Sequence, residues 1–252
     1  MSAADSRYTL YLDESGTASQ TEVVCVAGFL SCDEQWGRFA LNWSETLQEF
    51  EIPAFRAVDF AHSKEVFSKW QKHQTDGALR SERVAFSRKL LGHIRVRVRR
   101  SFASSVFMDE YNELDRESLL HEAIAPRTCC ARACIVRCLA WARKYVVPQT
   151  SIRFVIESGG EKSGELIRQV AEVEGITLEQ LEKNQQGSVP LEAADLFAYE
   201  YFQFNCRLKR GERRFSKLRF PIRLLDEIPK DDGDWSILSP EDFQADKWPK
   251  RT

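Results

Sequence analysis

The stretch Tyr8-Thr-Leu-Tyr-Leu-Asp-Glu-Ser-Gly16 decides how the fold is interpreted. Its side chains alternate up to Leu12, which is typical of a pleated strand, and Ser15-Gly16 supplies the turn that ends the strand. Asp13 and Glu14 therefore lie at the carboxyl end, which in an open α/β sheet faces the crevice where ligands bind. We interpret both as candidate site residues. The alternative is an acid in a solvated loop, since Asp often precedes a turn.

Length and charge limit the classes of protein that the chain can belong to. The 252 residues are 43% hydrophobic, which is enough for a substantial core. We predict one domain over 1–252, with a core at about 8–205, a basic segment at 207–223 and an acidic tail at 226–252. The formal net charge is −2. The protein therefore has no overall positive field, and any binding of nucleic acid must be local.

The cysteines and the apolar runs bear on location. Seven cysteines show no disulfide-framework spacing, and the first residues lack a charged segment followed by an apolar one. We expect a cytoplasmic protein with reduced thiols. No apolar run approaches the ~20 residues needed to cross a bilayer, so no membrane partner is expected.

Cys130, Cys134 and Cys138 recur at helical spacing, which favours core packing over a zinc site.

Periodicity in the first half of the chain predicts a second strand and two helices. Residues 22–31 form a nearly continuous apolar run, typical of a buried strand paired with the first. A helix follows, capped by Asp33. Residues 63–80 are polar and weakly patterned, which predicts an exposed insertion or loop, and helical spacing resumes over 81–94. Arg95–Phe107 then alternates with period two, which predicts a strand with a basic face.

The second half adds another acidic strand end and a late helix. An apolar helix is predicted from Pro126 to Tyr145, followed by the strand Ile152–Glu157. A further helix is predicted from about Ser163 to Glu174. Residues 176–181 fit a short strand or a helical turn. The last predicted helix contains Pro190 in its first turn.

Carboxylates far apart in sequence occupy similar structural positions. Asp13 and Glu157 each end a strand, and Asp195 lies in the late helix with Glu192 three residues before it on the same face. Brought together, such groups repel one another unless a proton or a cation compensates them. Hard oxygen ligands select Mg²⁺ or Mn²⁺. Two ions about 3.5–4 Å apart can hold a phosphodiester for hydrolysis.

Each acid also has a structural interpretation. Glu157 could simply end its strand before a turn. Glu192 and Asp195 could belong to a salt-bridged amphipathic helix. Against that interpretation, Asp195 lies between Ala194 and Leu196 in a stretch too apolar for an ordinary solvated surface.

Two end motifs and three middle segments resemble a known family. Tyr11-Leu-Asp-Glu-Ser-Gly16 and Pro190-Leu-Glu-Ala-Ala-Asp-Leu-Phe-Ala-Tyr199 resemble the signature motifs of the domain-of-unknown-function 3800 family. Val23–Leu30, Phe55–Phe60 and Ile152–Glu157 are similar to its second strand, its short motif and its central acidic strand. That family is regarded as ribonuclease H-like. The resemblance implies a mixed α/β sheet flanked by helices, with helical insertions.

The resemblance also implies a site. It places a metal-dependent acidic centre on Asp13, Glu157 and Asp195, with Mg²⁺ or Mn²⁺ as cofactor. Three departures bear on its ligand geometry, because this chain has Glu192 where the family usually has Gln, Arg56 where it commonly has His, and Glu157 where it often has Asp.

A basic segment follows the late motif. Over 207–223 the chain carries eight Lys or Arg against one Glu, with aromatic residues interleaved, which can follow phosphates and stack on bases. The alternative is a solvated surface that pairs with the acidic tail. The candidate nucleic-acid-binding residues are Arg207, Lys209, Arg210, Arg213, Arg214, Lys217 and Arg219.

The favoured function is divalent-metal-dependent hydrolysis of nucleic-acid phosphodiester bonds, in RNA or DNA. Asp13, Glu157 and Asp195 are the predicted catalytic metal ligands, with Glu14 and Glu192 as auxiliary acids. Two alternatives stay open: a non-catalytic module that binds nucleic acid or protein, and a hydrolase of small phosphate substrates. Neither the oligomeric state nor the strand preference follows from the sequence.

Overall fold

The computed structural model describes most of the chain in nine ranges. They are residues 7–16, 22–71, 77–117, 125–145, 152–157, 178–181, 188–212, 220–231 and 234–239. The helix predicted at about 163–174 lies outside these ranges.

The strands of the described residues form one six-stranded sheet with the order β5-β4-β1-β2-β3-β6. The strands are β1 Tyr8–Ser15, β2 Val23–Cys32, β3 Arg100–Phe107, β4 Ile152–Glu157, β5 Leu178–Leu181 and β6 Trp235–Leu238. β2 pairs antiparallel with β1 and β3, whereas β1–β4, β4–β5 and β3–β6 are parallel pairs. Five strands therefore point the same way and β2 runs against them. Of the two alternatives left open for 176–181, the strand is the one observed.

Helices cover both faces of this sheet. They are α1 Asp33–Glu49, α2 Ala57–His62, a 3-10 helix Glu65–Trp70, α3 Gly77–Arg97, α4 Met108–Glu117, α5 Pro126–Tyr145, α6 Val189–Lys209 and α7 Phe220–Leu225. The predicted mixed sheet flanked by helices is thus confirmed. No helix among the described residues has the length and apolar character that a membrane span requires.

Alternation along the strands divides the core into two layers. On one side Tyr11, Ala27 and Val155 pack with α1, α3 and α6, and we call this side the α6 face. On the other side Leu12 and Ile156 pack against α5, and we call it the α5 face. Since successive side chains of a strand point to opposite faces, every strand residue is assigned to one face by its parity.

β1 and β2 approach each other closely at Gly28. A Cβ atom added to Gly28 would overlap the carbonyl oxygen of Tyr11. Gly28 pairs with Leu12, and Ala27 beside it pairs with Asp13. Glycine is therefore required at the point where the strand carrying Asp13 is held.

The predicted strand over Arg95–Phe107 is wrong in its first part. α3 continues through Arg97, and β3 begins at Arg100. The arginines and valines alternate with a period of two, but the same segment also fits a helical spacing. Two contacts favour the helix: Ile94 is buried, and its carbonyl accepts a hydrogen bond from the Val98 N–H (2.9 Å). The basic strand face does not form.

The exposed insertion or loop predicted over 63–80 is exposed at most of its described residues, but it is not a plain loop, because it contains the 3-10 helix and the start of α3. Phe67 and Trp70 are buried in the 3-10 helix and pack with Phe60 and Phe86. Residues three apart in a 3-10 helix lie on the same side, so this short polar turn still buries two large rings. Residues 72–76 lie outside the described residues.

Asp33 does not cap α1 as predicted. The cap residue is Cys32, and no side chain caps the helix there. Asp33 is instead the first helical residue. Its Oδ1 accepts a hydrogen bond from the Thr9 hydroxyl (2.8 Å), and its N–H donates to the carbonyl of Arg7 (3.0 Å). Asp33 thus fastens the start of β1 to α1.

Candidate active site

Five parallel strands end at the same edge of the sheet. β1, β3, β4, β5 and β6 all point toward this carboxyl edge, because β2 alone among the described strands runs the other way. In open α/β sheets ligands bind beyond the carboxyl ends of the strands. The two predicted strand-end acids, Asp13 and Glu157, both lie at this edge.

Asp13 is the most deeply buried of the candidate acids. Its side chain shares the α6 face with Tyr11 and is 1% exposed. Its Oδ1 accepts a hydrogen bond from the backbone N–H of Glu14 (2.8 Å). A carboxylate is costly to bury unless donors or a cation compensate its charge. Its position thus favours a role in binding positive charge.

Glu157 lies beside Asp13 through the strand register. β4 pairs with β1 in parallel, with Leu12 opposite Ile156. Continuing this register by one residue sets Glu157 next to Asp13, on strands about 4.8 Å apart. Glu157 has the parity of Val155 and therefore belongs to the α6 face. Two acids separated by 144 positions in sequence become neighbours on one face.

Asp195 approaches from the helix that covers these strands. Between Pro190 and Tyr201 every residue of α6 is buried except Asp195, which is partly exposed. α6 packs against β1 and β2, and the Cys25 thiol donates to the carbonyl of Ala198 (3.4 Å). Cys25 pairs with Ser15, so Ala198 is level with the end of β1. Asp195 comes three residues before Ala198, which is about one helical turn away.

The Asp195 carboxylate also holds the start of α2. Its Oδ2 accepts the backbone N–H of Ala57 (2.9 Å), the first residue of that helix. An acid at a helix N-terminus is favoured both by this bond and by the helix dipole. Asp195 therefore links α6 to α2 in the conformation observed.

The described residues do not assemble a complete metal centre. Among them, no group of three or more His, Cys, Asp or Glu lies close enough together to hold a metal ion. The structure brings Asp13 and Glu157 to neighbouring positions, and it keeps one oxygen of Asp195 on Ala57. Two carboxylates supply the hard oxygen donors that Mg²⁺ or Mn²⁺ prefers, so the residues present fit part of such a site.

Glu14 points away from the other acids. It has the opposite parity to Asp13 and forms an ion pair with Arg127 in the first turn of α5 (2.6 Å), on the α5 face. Arg127 also donates to the carbonyl of Gly16 (3.4 Å). The predicted auxiliary acid is thus placed where it holds the turn after β1 to α5. Alternation along a strand separates two adjacent acids in this way.

Glu192 accepts hydrogen bonds from two buried donors. Its Oε2 accepts the indole N–H of Trp43 (2.7 Å) and the backbone N–H of Phe55 (3.1 Å), and the residue is 7% exposed. Together with Asp195, it binds the segment from Phe55 to Ala57 to α6. Sequence reasoning missed Trp43 as a partner, although a Glu inside an apolar helix does indicate that a buried donor must be present.

Three of the seven candidate nucleic-acid-binding residues lie in the described part of the chain. Lys209 forms an ion pair with Asp109 (2.6 Å), while Arg207 is half-buried and Arg210 is exposed. The predicted phosphate-binding residues Arg213, Arg214, Lys217 and Arg219 lie outside the described residues.

The described acids after residue 225 have partners of their own. Glu227 pairs with Arg95 (3.3 Å), and Asp231 and Asp234 both pair with Arg100 (3.0 and 2.7 Å). Part of the predicted acidic tail thus binds two arginines from the end of α3 and the start of β3.

The thiols of α5 are packed in the core. Burial raises the pKa of both Cys129 and Cys134 to about 12, and it also raises the pKa of Cys130 and Cys138. Burial thus favours the neutral thiol over the reactive thiolate in all four groups. This agrees with the core packing predicted for them.

Comparison with known proteins gives a likeness in fold alone. No family model matches the chain, and no curated protein matches it. A chain in the structure of the PCNA:RNase HII complex from Archaeoglobus fulgidus is 16% identical, with a TM-score of 0.45, over 85% of this chain and 84% of that one. A chain in the structure of Bst-RNase HIII in complex with Mn²⁺ is 14% identical, with a TM-score of 0.44, over 86% of this chain and 58% of that one.

The fold is ribonuclease H-like. This statement rests on the sheet itself, in which an antiparallel β1-β2-β3 unit is extended by the parallel strands β4 and β5 and helices cover both faces. The fold class implied by the resemblance of the sequence motifs is therefore confirmed. A ribonuclease H-like fold alone does not define a reaction, which must be argued from the site.

Proposed function

We propose that the protein is a divalent-metal-dependent nuclease that hydrolyses phosphodiester bonds of RNA or DNA, and that it is a member of the domain-of-unknown-function 3800 family. The observation that supports this most is the register that sets Asp13 and Glu157 side by side on the α6 face. Acids from adjacent parallel strands at a carboxyl edge are suited to share a cation.

The proposed ligands of Mg²⁺ or Mn²⁺ are Asp13 and Glu157, with Asp195 completing the site from α6. A bound divalent ion supplies Lewis-acid charge for a phosphoryl oxygen and lowers the pKa of water. Asp13 provides a fixed, buried anchor because β2 and α6 enclose it. The Oδ2 of Asp195 accepts the Ala57 N–H, so Asp195 would hold the start of α2 beside the proposed site.

Two further contacts keep these acids in place. The Glu192 bonds to Trp43 and Phe55 position the segment before α2, against which Asp195 rests. The ion pair between Glu14 and Arg127 holds the turn after β1. We therefore interpret Glu14 and Glu192 as positioning residues for Asp13 and Asp195.

Nucleic acid is the proposed partner because positive charge gathers after the acids. Arg207, Lys209 and Arg210 end α6, and the basic stretch through Arg219 follows them. Phosphate contacts from such a segment give affinity that falls with salt. We further propose a single domain over 1–252 and, from the reduced thiols, a reducing compartment such as the cytoplasm.

The experiment that tests the nuclease replaces Asp13 by Asn. Asn can accept the same bond from the Glu14 N–H, so the unfolding midpoint should shift by less than about 3 °C. Cleavage of end-labelled RNA and DNA in Mg²⁺ or Mn²⁺ should fall more than about 100-fold, since even loss of a residue that only orients a metal ligand costs about 10–100-fold. The matched control is Asp226→Asn, at an exposed acid paired with Lys230. Full activity of Asp13→Asn would refute the proposal.

A non-catalytic nucleic-acid-binding module is the second candidate. It is favoured by one observation, namely that the Oδ2 of Asp195, the third proposed ligand, accepts the backbone N–H of Ala57. In that case purified protein would bind oligonucleotides with a steep salt dependence and would cleave none of them in Mg²⁺ or Mn²⁺.

A further inference from the structure

A groove opens where β3 ends and α6 ends. It has a volume of about 470 Å³ and is lined by Phe107, Asp109, Glu110, Leu208 and Lys209, which we call the α6–β3 pocket. Pockets of about 300–1,000 Å³ bind small molecules or parts of larger ones. None of these five residues takes part in the proposed metal site.

The pocket shares the face and the edge of the acids. Phe107 has the parity of Ala103 and therefore lies on the α6 face, where it contacts Lys209 of α6. Ala103 is level with Ala27 and, across β2, with Asp13. β1 and β3 are two strand spacings apart, and Phe107 lies four residues beyond Ala103 along β3. Together these displacements give a separation of roughly 17 Å between Asp13 and Phe107. A strand of nucleic acid that passes the acids can reach this pocket a few nucleotides away.

The chemistry of the lining is mixed. Phe107 and Leu208 offer an aromatic face and an aliphatic wall. The ammonium of Lys209 lies 5.3 Å from the Phe107 ring centroid and forms an ion pair with Asp109 (2.6 Å), whose carboxylate is 61% exposed. Glu110 adds a second carboxylate. An aromatic ring, hydrogen-bond acceptors and one movable cation are the three groups that match a nucleotide unit.

We propose that the α6–β3 pocket holds one base of a single-stranded nucleic acid. Phe107 stacks on the base, and Lys209 moves from the ring to the adjoining phosphate. Asp109 and Glu110 accept hydrogen bonds from the amino groups of the base. The inference rests on the proposed nucleic-acid partner and is independent of cleavage, because it concerns binding alone.

The test measures binding in EDTA, where cleavage cannot occur. A fluorescein-labelled single-stranded DNA of about a dozen nucleotides is compared by anisotropy with a series in which each base in turn is replaced by an abasic unit. In the wild-type protein one position should show roughly five- to a hundred-fold weaker binding, the range found for a stacked base. Phe107→Leu should remove this positional penalty and Phe107→Trp should keep it. Tyr145→Leu, at an exposed ring at the end of α5, is the matched control and should keep it.

A second variant covers the case in which Phe107→Leu does not fold. Lys209→Met, at the half-buried last residue of α6, should reduce the slope of log K against log salt by about one while the positional penalty persists. An unchanged slope would overturn the role of Lys209.

The possible outcomes separate the pocket from the nuclease. Absence of oligonucleotide binding, or a flat abasic series in the wild-type protein, refutes the pocket. A flat series together with cleavage that depends on Asp13 refutes the pocket alone. A positional penalty that depends on Phe107 but comes without cleavage supports the pocket and refutes the nuclease.

Discussion

Glu192 offers the sharpest test of how the site is built. Its Oε2 accepts the Trp43 indole N–H and the Phe55 backbone N–H at 2.7 and 3.1 Å. Trp43 itself is 0% exposed, so its indole N–H has no contact with bulk solvent in the folded protein. Replacing Glu192 by Ala leaves both donors buried, whereas Glu192→Gln keeps an oxygen that can accept both bonds.

The magnitude follows from these two donors. An unsatisfied buried donor costs about 1–3 kcal/mol, so Glu192→Ala should lower the free energy of unfolding by about 4 kcal/mol. For a chain of this size that corresponds to a fall in Tm of roughly 8–16 °C. Glu192→Gln replaces charged by neutral hydrogen bonds and should cost about 1 kcal/mol. The exposed pair between Glu34 and Arg38 supplies the control, and Glu34→Ala should cost less than about 0.5 kcal/mol.

Urea unfolding followed by tryptophan fluorescence measures these values. A double-mutant cycle with Trp43→Phe should give a coupling free energy of about 1–2 kcal/mol to Glu192→Ala. If Glu192→Ala lies within about 1 kcal/mol of the wild type, or the coupling is near zero, the positioning role is refuted. Retained nuclease activity in Glu192→Gln would further argue against Glu192 as an auxiliary acid.

Three other predictions concern the frame around the site. Gly28→Ala should destabilise the fold by about 3 kcal/mol in urea unfolding, because its Cβ overlaps the Tyr11 carbonyl oxygen; a neutral result would mean that β1 and β2 can separate there. Arg100→Ala should lower the free energy of unfolding by about 3–5 kcal/mol, because it leaves Asp234 buried without its cation. Arg95→Ala, at the exposed pair with Glu227, should lower it by less than about 1 kcal/mol. Equal losses in the two variants would contradict this prediction. Burial, followed by the charges of Arg97 and Lys89, lowers the pKa of His93, so the unfolded chain binds the proton more readily. Stability should therefore fall as the pH drops below about 6.5, the ordinary His value, and His93→Gln should lessen that fall in thermal melts across pH 5–8.

Local patterns in the sequence predict several elements correctly. The alternation up to Leu12 predicts β1, and the run after Pro148 predicts β4 as Ile152–Glu157. Pro190 marks the first turn of α6 because its fixed φ and missing N–H suit that position. In each case the signal comes from residues within one element, where backbone sterics and burial of one face agree.

Other segments need the rest of the molecule. Arg95–Val98 fits a strand by period, yet packing of Ile94 continues α3. Phe67 and Trp70 lie in a polar stretch, and they are buried because Phe60 and Phe86 are there to receive them. Where the sequence of a short segment fits both a helix and a strand, the segment adopts the secondary structure whose contacts remove more apolar surface from water.

The acids show the same division. Sequence patterns alone place Asp13 and Glu157 at strand ends. Glu14, however, is predicted as an auxiliary acid of the same site, although alternation along β1 turns it to the opposite face, where it pairs with Arg127. Tertiary structure alone decides that β4 pairs with β1 in the register that joins Asp13 to Glu157, and that Asp195 bonds to Ala57. A strand carries its own alternation because that is a property of its backbone. Its partner and register depend on the packing of residues more than a hundred positions away, and no local pattern encodes that free energy.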